Sequence, residues 1–229
     1  MEKYQELIYV AAFLTAFLIT YFSIPAIIRL SLLKRLYDQP DQRKRHQNRI
    51  SPLGGIAIFG GLILSFIFYT AHLANFTLNS VLVSLIILFI TGVKDDLYPL
   101  VPYKKLLGQL LAIGIVVLQG DVRLVQLYGI GGIYELPYWV SVALTFFFFL
   151  TIINSFNFID GINGLSSLLG IIVSLVFAVL FYRLNQPLFI TLALCIVGAQ
   201  MAFLRYNFFN AKIFMGDTGS MILGFFAAL

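Results

Sequence analysis

Residues 76–96 read FTLNSVLVSLIILFITGVKDD. No charged side chain occurs from Phe76 to Val93, and then Lys94, Asp95 and Asp96 arrive together. A run of that length matches the roughly 20 apolar residues a helix needs to cross a ~30 Å hydrocarbon core, and the charges mark where it meets water. The pattern recurs in Leu7–Ile28, Pro52–Ala74, Tyr138–Ile153, Leu165–Tyr182 and Leu188–Leu204. Leu106–Gln119 is shorter and needs its flanks to complete a crossing. Thr218–Leu229 would cover only about 18 Å at 1.5 Å per residue. The chain stops inside that apolar run, which reads as a truncated chain, with a half-helix at the bundle edge as the alternative. The expectation is an all-α polytopic membrane protein. It would have about seven complete transmembrane helices and a partial eighth, in one transmembrane domain over residues 1–229.

Composition agrees. The chain is 60% hydrophobic and 11% charged, against roughly 25% charged in a soluble domain. Intrinsic disorder, which needs low hydrophobicity and high net charge, is excluded. The single cysteine, Cys195, rules out an internal disulfide framework. The first run is too long for the apolar region of a cleaved signal peptide, and no small-residue cleavage site follows it.

Charge sets the orientation. With the N-terminus outside, only Lys3, Arg123 and Arg183 of the 15 cations fall on the outer side. The others, including Arg43, Lys44, Arg45, Lys94, Lys104 and Lys105, gather in cytoplasmic loops, as the positive-inside rule requires. The net charge of +5 then needs no nucleic acid; contact with anionic membrane lipid is the modest alternative. On the outer side, alternation flanking Gly129, Gly131 and Gly132 predicts a small hairpin at about 121–137.

The inner side concentrates polar chemistry. Asp95, Asp96, Asp160 and Asp217 each stand at the inner end of an apolar run, where ionisable groups are functional candidates. Each has a plainer reading too. Asp95-Asp96 could be a solvated flank, although paired carboxylates in a buried site call for a cation such as Mg²⁺. Asn154, Asn157, Asp160 and Asn163 recur every three residues, predicting one polar helical stripe; the alternative is a polar packing seam. Gly161 and Gly164 would allow close backbone approach. In Phe214-Met-Gly-Asp217-Thr-Gly-Ser220, Asp217 or Thr218 could be an N-cap, or the helix N-terminus could seat a phosphate. Lys104 and Lys105 could merely snorkel. Gly54, Gly55, Gly60 and Gly61 suit a helix-packing face better than a phosphate loop. Taken together, carboxylates, asparagines, lysines and a helix N-terminus on one face suit a metal-bound, doubly phosphorylated substrate meeting a lipid.

Three ordered motifs carry a resemblance. They are Asp95-Asp96 after the third run, Asn154-x-x-Asn157-x-x-Asp160-Gly161-x-x-Gly164-Leu165, and Phe214-Met215-Gly216-Asp217-x-Gly219-Ser220. The chain resembles the polyprenyl-phosphate N-acetylhexosamine-1-phosphate transferases. Asp38-x-Pro40-x-x-Arg43-Lys44-x-His46 with Pro52-x-Gly54-Gly55 is similar to their WecA/TagO-like branch rather than the lipid I branch.

The resemblance implies transfer of a sugar 1-phosphate from a UDP-N-acetylhexosamine to undecaprenyl phosphate in the bacterial inner membrane. UMP would leave, and Mg²⁺ would be required, with Mn²⁺ as a substitute. It implies Asp95, Asp96 and Asp160 as the catalytic set and Asp217 with Asp96 at the metal. Asp95 would act as base or orienter for the lipid phosphate. Asn157, Asn154, Phe214, Lys105, Lys44 and His46 would bind substrate, with Phe214 stacking on uracil. A homodimer is a further family expectation. Departures are Asn163 where many WecA-like members carry Asp, Pro99 where some members do, and Asn210 where many carry Pro. The resemblance further implies C-terminal helices and a loop with a histidine motif that are missing here, since His46 and His72 cannot be that motif. CDP-alcohol phosphotransferases fail, since Ile-Asn-Gly follows Asp160-Gly161. A cation or solute transporter would place its sites near the midplane, and here they cluster at one face.

Overall fold

The computed structural model describes residues 2–36, 50–71 and 76–229. Lys44 and His46 lie outside the described residues, and so do Asp38, Asp41, Arg43, Arg45, Arg49 and His72. Among the described residues, eight α-helices follow one another: α1 (Glu2–Lys34), α2 (Gly54–Thr70), α3 (Phe76–Leu97), α4 (Pro102–Gly114), α5 (Tyr138–Ile159), α6 (Leu165–Arg183), α7 (Pro187–Asn207) and α8 (Gly216–Ala228). A π-turn at Ile115–Gln119 extends α4. Among the described residues, α1, α3, α5, α6 and α7 are long and apolar enough to cross a membrane. The protein is an all-α, multi-pass membrane protein.

The helices match the apolar runs, with shifted ends. α2 stops at Thr70, short of Ala74. α4 begins at Pro102, a residue preorganised for the first helical turn because it lacks the N–H that would be unpaired there. Large apolar side chains on α1, α5 and α6 are exposed, as lipid-facing surfaces require (Phe22, Phe147, Ile172). α7 and α8 form the interior, and every residue from Thr218 to Phe226 is buried. α8 packs against α5, α3 and α2, while α7 packs against α1, α6 and α2.

Lipid is as apolar as leucine, so these contacts rest on close backbone approach rather than on expulsion of water. A Cβ on Gly61 would lie 2.0 Å from Thr20 Oγ1, one on Gly198 2.3 Å from the Phe13 carbonyl, and one on Gly224 2.6 Å from Ile153 Cα. Gly54 and Gly55 are equally crowded, but Gly60 faces open space and takes no part in that packing face.

The hairpin expected at about 121–137 is present. Leu127 N–H donates to the Tyr134 carbonyl at 3.0 Å, Leu136 N–H donates to Val125 at 2.9 Å, and Gln126 bridges Glu135 antiparallel. Its tip has positive φ at Tyr128, Gly129, Gly131 and Gly132.

One expected pattern fails. The polar stripe does not run from Asn154 to Asn163 on a single helix, because α5 ends at Ile159. Asp160 caps that end and Asn163 lies in the following turn, which Gly164 closes at φ +76°. Of Gly161 and Gly164, the second is the close-approach glycine, its would-be Cβ meeting Phe208 at 2.5 Å; for Gly161 the nearest atom is 3.9 Å away.

Candidate active site

The site forms where the C-terminal ends of α3 and α5 and the N-terminal end of α4 meet the N-terminus of α8. Lys105 is its hub. Its ammonium lies 2.5 Å from Asp217 Oδ1 and 3.1 Å from Asp95 Oδ2, joining α4 to α8 and α3. A cation in the first turn of a helix opposes the helix dipole, and the two carboxylates offset that. Asn157 of α5 donates to the same Asp217 oxygen and, at 3.0 Å, to Ser220 Oγ. The side chain of Asp95 is 8% exposed, that of Lys105 18% and that of Asp217 29%, so the cluster opens on the Asp217 side.

Asp95 also shapes the chain. Its Oδ1 accepts from Leu100 N–H at 2.6 Å, closing the α3–α4 turn. Pro99 and Pro102 flank that turn, and Val101, before a proline, is held extended at ψ 142°.

Asp96 turns the other way, onto α8. Oδ1 accepts from Asp217 N–H at 2.7 Å, while Oδ2 accepts from Thr218 N–H at 3.1 Å and Thr218 Oγ1 at 2.6 Å. The residue at the cap position of α8, Met215, supplies no side-chain cap. Asp96 therefore caps α8 from a different helix. This corrects two expectations. Neither Asp217 nor Thr218 is the N-cap, and the N–H groups of both are already taken by a carboxylate, so they do not form an open phosphate seat.

The approach is tight. Gly216 has φ +73°, and a Cβ there would lie 2.1 Å from the Pro52 carbonyl and 2.6 Å from Asp96 Oδ1. A Cβ on Gly92 would lie 2.4 Å from Thr218 Cα.

The 213–215 strip is zipped to residues 51–55. Phe214 N–H donates to Ser51 at 2.8 Å, Gly54 N–H to Phe214 at 2.9 Å, and Gly55 N–H to Met215 at 2.8 Å. Phe214 is thereby fixed at the rim, half-buried. Asn207, at the end of α7, accepts from Gly164 N–H at 2.6 Å and donates to Ile213 at 2.9 Å, tying the α5–α6 turn to the same strip.

Asp160 accepts from Ser166 Oγ at 2.5 Å. Burial pushes its carboxyl up to about 7, against the opposing hydrogen bonds from Ser166 and the Gly216 backbone. Asn154 lies one turn deeper than Asn157 and pairs with Gln109, each side-chain amide donating to the other at 3.1 and 3.4 Å.

The structure thus brings Asp95, Asp96, Lys105, Asn157 and Asp217 into one cluster, with Asp160 and Phe214 on the flanking turns and Asn154 beneath. Gln109, Ser166, Asn207, Thr218 and Ser220 went unassigned as site residues in the sequence. Only Gln109 carried a signal, standing one helical turn after Lys105 in an apolar run.

Among the described residues, no three His, Cys, Asp or Glu side chains group to hold a metal. The donors present are oxygens of separate carboxylates. They fit a hard ion such as Mg²⁺, which takes one or two carboxylates and completes its shell with water and substrate phosphate. Asp217 is the more accessible donor. Asp96 already accepts three bonds from α8.

A carboxylate, ammonium and amide cluster at the end of a membrane-embedded helix bundle is equipped to handle phosphorylated groups beside lipid. The chain belongs to glycosyl transferase family 4, whose model matches residues 78–229. It is 32% identical, over 94% of its length, to a probable undecaprenyl-phosphate N-acetylglucosaminyl 1-phosphate transferase of Bacillus subtilis. It is also 32% identical over 94% to a decaprenyl-phosphate N-acetylglucosaminephosphotransferase of Mycobacterium tuberculosis. An undecaprenyl-phosphate alpha-N-acetylglucosaminyl 1-phosphate transferase of Yersinia pestis is 30% identical over 97%. The chain spans 60%, 57% and 60% of these three relatives, respectively.

Proposed function

We propose that the protein transfers N-acetylglucosamine 1-phosphate from its UDP-sugar to undecaprenyl phosphate on the cytoplasmic side of the bacterial inner membrane. In that topology α2 and α4 also cross the membrane, and the N-terminus and the 121–137 hairpin lie outside. The observation that carries the reading is Lys105 joining Asp95 and Asp217 in a cluster completed by Asn157.

The reaction needs little covalent work from the protein. A phosphate oxygen of the lipid attacks the sugar-linked phosphorus of the UDP-sugar. The bond from that phosphorus to the oxygen bridging the two phosphates breaks, UMP leaves with the electron pair, and a lipid-diphosphate-sugar forms. A phosphate monoester is largely ionised at pH 7, so no strong base is required, and Asp95 acts mainly by orienting Lys105. Positioning and charge stabilisation dominate such transfers. The Lys105 ammonium stabilises charge on the phosphates, Asn157 holds Asp217 in place, and Phe214 offers a face for uracil. Asp160 faces the sugar nucleotide. Mg²⁺, or Mn²⁺, held by Asp217 would neutralise the diphosphate; Asp96 supports that ligand by fixing the backbone of residues 217 and 218.

Membranes containing the protein, given UDP-[¹⁴C]N-acetylglucosamine, undecaprenyl phosphate and Mg²⁺, should yield organic-soluble label, and Asp217→Asn should abolish it. Label formed at the normal rate by Asp217→Asn would refute the assignment of Asp217.

A further inference from the structure

Beneath the charged cluster lies a second, neutral layer built from the same three helices. On α4 the step is from Lys105 to Gln109, on α8 from Asp217 to Met221, and on α5 from Asn157 back to Asn154. Gln109 Oε1 accepts from Asn154 Nδ2 at 3.1 Å, and Gln109 Nε2 faces Asn154 Oδ1 at 3.4 Å and Met221 Sδ at 3.6 Å. Gln109 is 1% exposed. A fully buried amide in an otherwise apolar stretch needs its partners, and Asn154, an exposed residue whose amide also donates to the Leu150 carbonyl at 2.7 Å, supplies them across the α4–α5 boundary.

α4 rests mainly on α3, where Thr91 crowds Gly108, and it meets α5 over a much smaller area. The amide pair is therefore the principal polar link between the helix carrying Lys105 and the helix carrying Asn157. Both of those side chains converge on one oxygen of Asp217. We infer that Gln109 is a positioning residue, setting through Asn154 the register of α4 against α5 and hence the place of Lys105 beside Asp217 and Asn157. This rests on the proposed transferase reaction and adds to it a residue that touches neither substrate nor metal. It also moves Asn154 from substrate contact to support.

The test separates positioning from mere stability. Replacing Asn154 strands the buried Gln109 amide, which destabilises; replacing both with apolar groups relieves that. Asn154→Leu should lower Tm, whereas Gln109→Leu should melt near the parent, because exposed Asn154 keeps its bond to the Leu150 carbonyl. Each should reduce kcat about tenfold or more, since small misplacements at a reacting centre are costly. KM for the UDP-sugar should stay within about twofold, because the nucleotide contacts are untouched. The double Leu variant should recover Tm and leave kcat low. The exchanged pair, Gln109→Asn with Asn154→Gln, should restore most of kcat. A double Leu variant that regains kcat along with Tm would overturn the inference, as would an exchanged pair as slow as the single variants.

Amine labelling of Lys105, read by peptide mass spectrometry, gives an answer independent of turnover. Labelling should be slow in the parent protein and faster in the double Leu variant, and equal rates would overturn the inference. If the parent protein makes no lipid-linked product, the reaction assignment fails, and labelling still decides the role of Gln109.

Discussion

Asp217 Oδ1 receives both the Lys105 ammonium and the Asn157 amide, and that crowding has a consequence. A divalent ion at this carboxylate must share the oxygen with Lys105 or displace it. Lys105→Gln should therefore lose turnover while binding Mn²⁺ about tenfold more tightly, because a like charge a few ångströms away is removed. Paramagnetic titration of the variant in detergent would check this; weaker Mn²⁺ binding would mean Lys105 aids the metal. Phe214→Ala should weaken UDP-sugar binding by about 1 kcal/mol, the size of a stacking contact, and unchanged affinity by calorimetry would remove Phe214 from the uracil site. Much of this cluster was legible in the sequence, since Asp95, Asn157 and Asp217 stand in ordered motifs at the ends of apolar runs. The contacts among them were not, because which oxygen meets which donor depends on the angles at which four helices converge. Gln109 was hidden for the same reason: a single amide in an apolar run gains meaning only when Asn154 is seen opposite it.

Helix α8 is held by its neighbours rather than by its own sequence. Its first turn is capped by Asp96 from α3, and Gly216 reaches that position only through a positive φ. Asp96→Ala should therefore cost stability as well as activity, about 1–2 kcal/mol as for a charged N-cap. The cost should be readable as a Tm a few degrees lower in a detergent melt, while Asp217→Asn melts near the parent. Equal Tm values for both variants would deny the capping role. Gly216→Ala meets both an unfavourable φ and the Pro52 carbonyl, and should fail to accumulate in membranes at normal levels. Helix positions followed from hydrophobic length, but their ends did not. α5 stops at Ile159 because Gly161 and Gly164 shape the next turn, and that stop divided the expected polar stripe.

The whole molecule is a bundle whose short central helix, α8, is buried and whose outer helices face lipid. The orientation inferred from charge can be tested on the protein itself. Its one cysteine, Cys195, is fully buried in α7 and offers a silent background. A cysteine replacing exposed Glu135 in the hairpin should react with a membrane-impermeant thiol reagent added outside intact cells, whereas one replacing exposed Lys212 should react only after permeabilisation. The opposite result would invert the topology and move the carboxylate cluster away from cytoplasmic UDP-sugars.

In the proposed reaction phosphorus, and not the sugar alone, passes to the lipid. UDP-N-acetylglucosamine labelled with ³²P at the sugar-linked phosphate distinguishes these outcomes in one extraction. The ³²P should enter the organic phase as lipid-diphosphate-sugar, with unlabelled UMP in the aqueous phase. Label retained in water as UDP, with the sugar in the lipid fraction, would mean glycosyl transfer and would contradict the role given to Asp217, Lys105 and Asn157.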